Sequence, residues 1–441
     1  MIDHKAQSVK AAAGGVTVDT IAVPNPAPAP FPCLLTTSAQ VGEVIMPVFA
    51  DNGTPLRQFD WPEAFVGSPA ASPDVDYAQL AAAIAPFFDG SELANATGTR
   101  AVLAVRKGQI VAERYAAGLF NSTPLLGWSM GKTLTAALTA IRVADGAMQL
   151  TDLVNPPSWS PAEVEARNIT VEDLLQQLSG IQWAEVYLPS TDATEITSGP
   201  ALNNTEAFAA AHPQAFPADR HPFATKAPLM CSYCMGNIQL LLACHVTLYP
   251  VMFAGTQSDY STANVQLLEG RIRRSFKGND TAYWSYPYNR LFKRLGAPSF
   301  AMSTDGVGTF AASSSVYATV RDWARLGQLY LQDGVWNGTR ILPEGWVKYT
   351  RTSNLPAAQY KCSTIAQSLG DCGPYSALWW PAPFDSVSSD AYAAEGFEGQ
   401  FVAVLPSQDL VVVFLAWAAD DSADDHFGGL LVHGISQAVK S

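Results

Sequence analysis

Gly127-Trp128-Ser129-Met130-Gly131-Lys132-Thr133 is the stretch from which the rest of this 441-residue chain is read. It precedes Leu134 to Ala144, a run of good helix formers, and Asp145-Gly146 then supplies a stop signal. A serine at a helix start and a lysine three residues on share one helix face, about one turn apart. An alcohol is a poor nucleophile at neutral pH and needs a base within hydrogen-bond reach. Lysine can be that base where burial lowers its pKa. Backbone N–H groups at the helix start lie where an oxyanion would form. S-x-x-K is therefore a compact hydrolase device, although two fixed residues also arise by chance as an ordinary helix start. Gly131-Lys132-Thr133 also suggests a phosphate loop. That motif needs glycine at position 126, where the chain has Leu126.

Composition narrows the classes. Hydrophobic residues at 48% and charged residues at 15% describe a globular chain with ample core. The net charge is −13 and no Lys/Arg-rich run stands out, which argues against nucleic acid and anionic membrane surfaces as partners. The six histidines form no recognisable zinc spacing, so neither a metal nor a cofactor is expected. Compartment signals point in opposite directions. No signal peptide is visible in Met1 to Gly15. Yet Asn52, Asn95, Asn121, Asn168, Asn203, Asn279 and Asn337 all begin N-x-[ST] sequons, against about two expected by chance, which leans towards a secreted protein. The six cysteines fit that reading. Cys362 and Cys372 are the best-placed disulfide pair, and Cys231-Ser-Tyr-Cys234 is weak as a metal or redox signal.

Along the chain, residues 1–75 read as an irregular Pro/Ala-rich extension and 76–441 as the main domain. Asp76 to Phe88 has helical spacing. Arg100 to Arg106, Lys107-Gly108 and Gln109 to Tyr115 read as a tight hairpin. Ile169 to Leu178 is an amphipathic helix, with Thr170 as N-cap and Asp173 three residues on. Residues 217–253 form an apolar insertion, and Ala227 to Ser258 contains no charged side chain. Asn237, Gln239, His245 and Pro250 argue against a membrane span there. Val316 to Gln332 reads as helix, Gln400 to Leu405 with Leu410 to Trp417 as a second hairpin, and Phe427 to Val439 as a last helix. An early hairpin, central helices and a late hairpin predict an α/β (α+β) domain: one antiparallel sheet from both chain ends, flanked by helices, with a helical subdomain.

Several stretches carry a resemblance. They are Gly98-Thr-Arg-Ala-Val-Leu-Ala-Val-Arg106, Gly127 to Thr133, Asn168-Ile-Thr-Val-Glu-Asp-Leu-Leu175, Ser179-Gly-Ile-Gln-Trp183, Tyr260-Ser-Thr-Ala-Asn264, Arg321-Asp-Trp-Ala-Arg325 and Asp333-Gly-Val-Trp-Asn-Gly338. Together they resemble the serine β-lactamase-related, penicillin-binding-protein-like family. The likeness is greatest to its class C-like branch of 6-aminohexanoate-dimer (nylon-oligomer) hydrolases and esterases. It runs from about residue 75 to the end, interrupted by the insertion.

The resemblance implies a β-lactamase/transpeptidase-like fold and a serine hydrolase that cleaves an amide or ester of a small molecule without a cofactor. Ser129 would be the acylated nucleophile and Lys132 its base. Tyr260 matches the tyrosine that passes a proton to the leaving group, and it must sit in the field of Lys132 to do so. Tyr233 is a rival, because Tyr233-Cys-Met-Gly-Asn-Ile-Gln-Leu-Leu241 echoes Tyr260-Ser-Thr-Ala-Asn-Val-Gln-Leu-Leu268. Asn264 is the candidate second polar group of this motif, although the usual spacing is Y-x-N and position 262 is Thr. Glu395-Gly-Phe-Glu-Gly-Gln400 occupies the third motif, where Gly396 and the backbone N–H of Phe397 would complete an oxyanion hole with Ser129. Tyr187 resembles a substrate-loop tyrosine. Penicillin-recognising relatives carry Lys or His in the third motif, and this chain has Glu395 and Glu398. The alternatives are a β-lactamase or D-alanyl-D-alanine peptidase, or a non-catalytic binding relative.

Overall fold

The first hairpin pairs Ala101–Arg106 (β1) with Gln109–Tyr115 (β2), and Lys107 and Gly108 take the left-handed turn between them. The structure is a computed structural model. It describes residues 72–181, 183, 185, 192–214, 260–352, 375–384, 387–418 and 424–439, together with the backbone of four N-terminal strands. Tyr187, Tyr233, all six cysteines and the insertion at 217–253 lie outside the described residues.

Trp380–Pro381 (β3), Tyr392–Gly396 (β4), Gln400–Leu405 (β5) and Leu410–Leu415 (β6) complete an antiparallel sheet in the order β3-β4-β5-β6-β1-β2. The late hairpin joins the early one through β6 and β1, with Leu410 opposite Arg106 and Leu415 opposite Ala101. The sheet is thus closed by both chain ends, as the paired hairpins predict.

Alternate residues of these strands enter two separate cores. Leu103, Val105, Val402, Val404, Val411 and Val413 face the helical subdomain. Val102, Ala104, Phe401, Ala403, Val412 and Phe414 face the helices Tyr77–Ile84 (α1) and Asp424–Gln437. Burial on both faces explains why these strands read as continuous apolar runs rather than alternating ones. Arg321 grips Glu113 of β2 at 2.8 and 2.7 Å and so ties the helix Val320–Leu331 to the sheet.

Three local expectations are corrected. Val316–Ala318 is strand, not helix, because these residues pair with Leu125–Leu126 and Ala301–Met302; the helix begins at Val320 behind its N-cap Thr319. The Thr170–Asp173 capping box forms, but its helix stops at Leu175. In the extension read as irregular, Ile2–Asp3, Ser8–Ala13, Val16–Ile21 and Leu34–Thr37 pair as an antiparallel sheet. Their alternation, as in Val16-Thr-Val-Asp-Thr-Ile21, outweighs the Pro-rich run that follows. Among the described residues no helix is long and apolar enough to cross a membrane.

Two helices meet beside the serine: Gly131–Ala144 (α2) and Thr262–Arg274 (α3). At their contact the Thr135 hydroxyl donates to Glu269 Oε1 at 2.7 Å and the Tyr283 hydroxyl to Oε2 at 3.2 Å. Glu269 is fully buried, and burial pushes its pKa from an ordinary 4.5 up to about 7 against those two bonds. The folded protein therefore holds this proton more tightly than the unfolded chain does. That contribution is complete below about pH 4.5 and is lost as pH rises to about 7. Glu269→Gln keeps the shape and cannot ionise. In urea unfolding its stability should gain on wild type between about pH 5 and 7 and level off above; a difference that stays constant from pH 5 to 8 would contradict this assignment.

Candidate active site

Ser129 sits in the single 3-10 turn Trp128–Met130 that leads into α2. The turn is anchored on both sides. Gly127 donates its N–H to Val316 O at 2.8 Å, and a Cβ on Gly131 would lie 2.2 Å from Ala312 O. Glycine at 131 thus lets the start of α2 approach the chain at 312–316, and that stretch supplies Ser313 O to the site. Trp128 has φ +46°, a left-handed conformation that costs a non-glycine residue on the order of 1–3 kcal/mol. It is held by Glu398, whose Oε2 accepts from Trp128 Nε1 at 3.0 Å, and by an edge-on contact with Phe397 at 5.3 Å. Glu398 is itself left-handed, with φ +62°.

Lys132 is 1% exposed and Ser129 8%. Lys132 Nζ lies 2.8 Å from Ser129 Oγ, 3.1 Å from Ser313 O and 3.2 Å from Thr262 Oγ1. Tyr260 stands over the same amine, its ring centroid 4.8 Å from Nζ, and stacks on Trp380 with Tyr375 edge-on. Tyr375 is fully buried; burial, with the Glu395 and Glu185 charges adding to it, holds its phenol well above the ordinary value.

The third motif spans the end of β4 (Glu395, Gly396), the 3-10 turn Phe397–Gly399 and the first residue of β5, Gln400. A Cβ on Gly396 would lie 2.3 Å from Gly127 O and 3.1 Å from Ser129 N, so the end of β4 lies against the serine turn. The sequence reading of Ser129, Lys132, Tyr260, Gly396 and Phe397 therefore falls on groups that converge. Asn264 does not join them. Its side chain is buried in α3, where Oδ1 accepts from Ser179 and Nδ2 donates to Gln177. It clamps the helix instead of facing the serine, and Thr262, at the Y-x-N position, stands beside Lys132.

Glu185 was also missed in the sequence. It accepts from Thr262 N and Thr262 Oγ1, each at 2.7 Å, and from Trp183 Nε1 at 2.6 Å. The only sequence signal was its place two residues before Tyr187. Among the described residues no group of three or more His, Cys, Asp or Glu side chains could hold a metal ion.

The family model described as Beta-lactamase matches residues 92–433. The chain belongs to the beta-lactamase family. It is 25% identical over 341 residues to a 6-aminohexanoate-dimer hydrolase of Paenarthrobacter ureafaciens, covering 76% of each chain. A solved candidate 6-aminohexanoate-dimer hydrolase from Bacillus anthracis is 19% identical with TM-score 0.56, over 80% of this chain and 83% of that one. A penicillin-binding protein homolog from Caulobacter crescentus is 13% identical with TM-score 0.53, over 82% and 98%. At these identities the two structures share the fold, and this beta-lactamase-family chain has the β-lactamase/transpeptidase-like architecture its sequence resembles.

Gly396→Ala tests the fit of β4 against the serine turn. The methyl group would push the strand away from Ser129 N, so kcat/KM on p-nitrophenyl butyrate should fall at least about 100-fold, the scale of a lost oxyanion donor. The far-UV CD spectrum should be retained, and activity within a few-fold of wild type would contradict this placement.

Proposed function

We propose that this protein is a serine hydrolase that cleaves a small ester or amide through an acyl-enzyme on Ser129. The observation that carries the reading is the buried Lys132 Nζ at 2.8 Å from Ser129 Oγ, on a chain of the beta-lactamase family. Lys132 takes the hydroxyl proton as Ser129 Oγ bonds to the substrate carbonyl carbon. Backbone N–H groups of Ser129 and Phe397 receive the resulting oxyanion. Tyr260, adjacent to the lysine, passes a proton to the leaving nitrogen or oxygen as its bond to carbon breaks, and regains one from the Lys132 ammonium. Water then attacks the acyl carbon, its proton passes to Ser129 Oγ as the acyl bond breaks, and the acid leaves with Ser129 restored.

Charge around the site bears on the substrate. Glu398 bonds Trp128 next to the serine, Glu185 bonds Thr262 beside Lys132, and Glu395 precedes Gly396 on β4, so a substrate carboxylate would meet like charge. Neutral esters and amides, or acyl groups that carry an amine, suit it better than a penicillin carboxylate. In the 6-aminohexanoate dimer that the Paenarthrobacter ureafaciens relative is named for, the acyl half carries such an amine, and the carboxylate lies on the leaving half.

A substrate panel tests both parts. Ser129→Ala and Lys132→Ala should each lose several orders of magnitude on p-nitrophenyl butyrate, and the double variant should be little worse, since the two act as a unit. Tyr260→Phe keeps the ring packing and should cost about 100-fold. Tyr233→Phe should stay within a few-fold of wild type. Nitrocefin should turn over far more slowly than the butyrate ester. Full activity in Ser129→Ala would end the acyl-enzyme reading, and comparable nitrocefin turnover would end the substrate reading.

A further inference from the structure

Thr262 stands where this motif usually places an asparagine, and the two side chains are not equivalent to a lysine. An asparagine carbonyl oxygen can only accept a hydrogen bond, so it fixes the direction of the bond from the amine. A threonine hydroxyl can either donate or accept. Were it to donate to Lys132, it would occupy the lone pair with which the amine must take the proton of Ser129. A bare Tyr-Ser-Thr motif would therefore leave the base misdirected for part of the time.

Glu185 removes that freedom. Its Oε2 accepts from two groups that can only donate, Thr262 N at 2.7 Å and Trp183 Nε1 at 2.6 Å. Its Oε1 accepts the Thr262 hydroxyl hydrogen at 2.7 Å. With that hydrogen committed, Thr262 Oγ1 presents only lone pairs to Lys132 Nζ at 3.2 Å. Ser313 O, a backbone carbonyl at 3.1 Å, likewise only accepts. A neutral amine has two N–H groups and one lone pair. Thr262 Oγ1 and Ser313 O each draw an N–H group of the amine, an arrangement that lets its lone pair face Ser129 Oγ, 2.8 Å away.

We infer that Glu185 is a positioning residue for Lys132, acting through Thr262: it turns an ambivalent hydroxyl into an obligate acceptor and so aims the lysine lone pair at Ser129. The inference rests on the acyl-enzyme reading above. It assigns Glu185 a part in acylation, the step in which Lys132 receives a proton, and none as the base for the deacylating water.

The test follows phosphonylation by a fluorophosphonate probe, in which Ser129 Oγ bonds to phosphorus and fluoride leaves. Glu185→Gln frees the threonine to donate, and the labelling rate should fall at least tenfold, within the 10²- to 10⁴-fold that a positioned base supplies. Thr262→Asn, introduced into Glu185→Gln, restores an obligate acceptor without the carboxylate, and labelling should return to within a few-fold of wild type. Thr262→Val retains the shape and removes the acceptor; it should lose as much as Glu185→Gln, and adding Glu185→Gln to it should change little. Thermal unfolding midpoints near wild type identify these losses as effects on the site. Labelling of Glu185→Gln at the wild-type rate would overturn the inference. So would failure of Thr262→Asn to rescue, or a full p-nitrophenyl butyrate burst followed by slow turnover, since each would make the carboxylate act by its charge or on the water. Labelling of Ser129→Ala at the wild-type rate would instead refute the acyl-enzyme reading.

Discussion

A lysine amine sealed from solvent beside a serine hydroxyl is the constraint on which the rest of this structure depends. Burying such a group is costly unless its hydrogen bonds are met. Three separate parts of the chain meet them at Lys132: the serine turn, the stretch ending in Val316–Ala318, and the first residue of the helix Thr262–Arg274. Each part is held by something larger. The turn is pinned between Val316 and the end of β4, and the helix is fixed by Asn264 to Gln177 and Ser179 and by Glu269 to Thr135. The two-faced sheet then joins the chain ends so that β4, ending in Gly396, reaches the serine.

Strain at the site has a partner on each side. Trp128 and Glu398 both adopt left-handed backbone, and they are bonded to each other across the gap between the serine turn and the turn that follows β4. The bond ties two strained conformations together and links the serine turn to the third motif. Ser129 and the third motif are therefore held by one local arrangement.

Much of this was legible in the sequence, for physical reasons that differ by element. Lys107-Gly108 and the continuous apolar strands signal hairpins because turn chemistry and two-sided burial are local properties. Ser129 and Lys132 were legible because helical spacing alone puts them on one face. Thr262, Glu185, Trp128 and Glu398 were not, because their roles come from contacts between residues 77 to 270 positions apart. Asn264 was misread for the same reason: its type suited the site, but its place on the helix turns it towards Ser179. Val316–Ala318 was taken into a helix since only pairing with two distant strands shows it to be a strand.

The central claim is that Ser129 is the atom acylated during turnover. Rapid acid quench of the enzyme with a slowly released acyl ester, followed by intact-mass measurement and peptide mapping, tests it most directly. The account predicts one added acyl group, located on the peptide containing Ser129, and none in Ser129→Ala. An adduct of the same size and rate on Ser129→Ala, or one mapped to another residue in wild type, would contradict it.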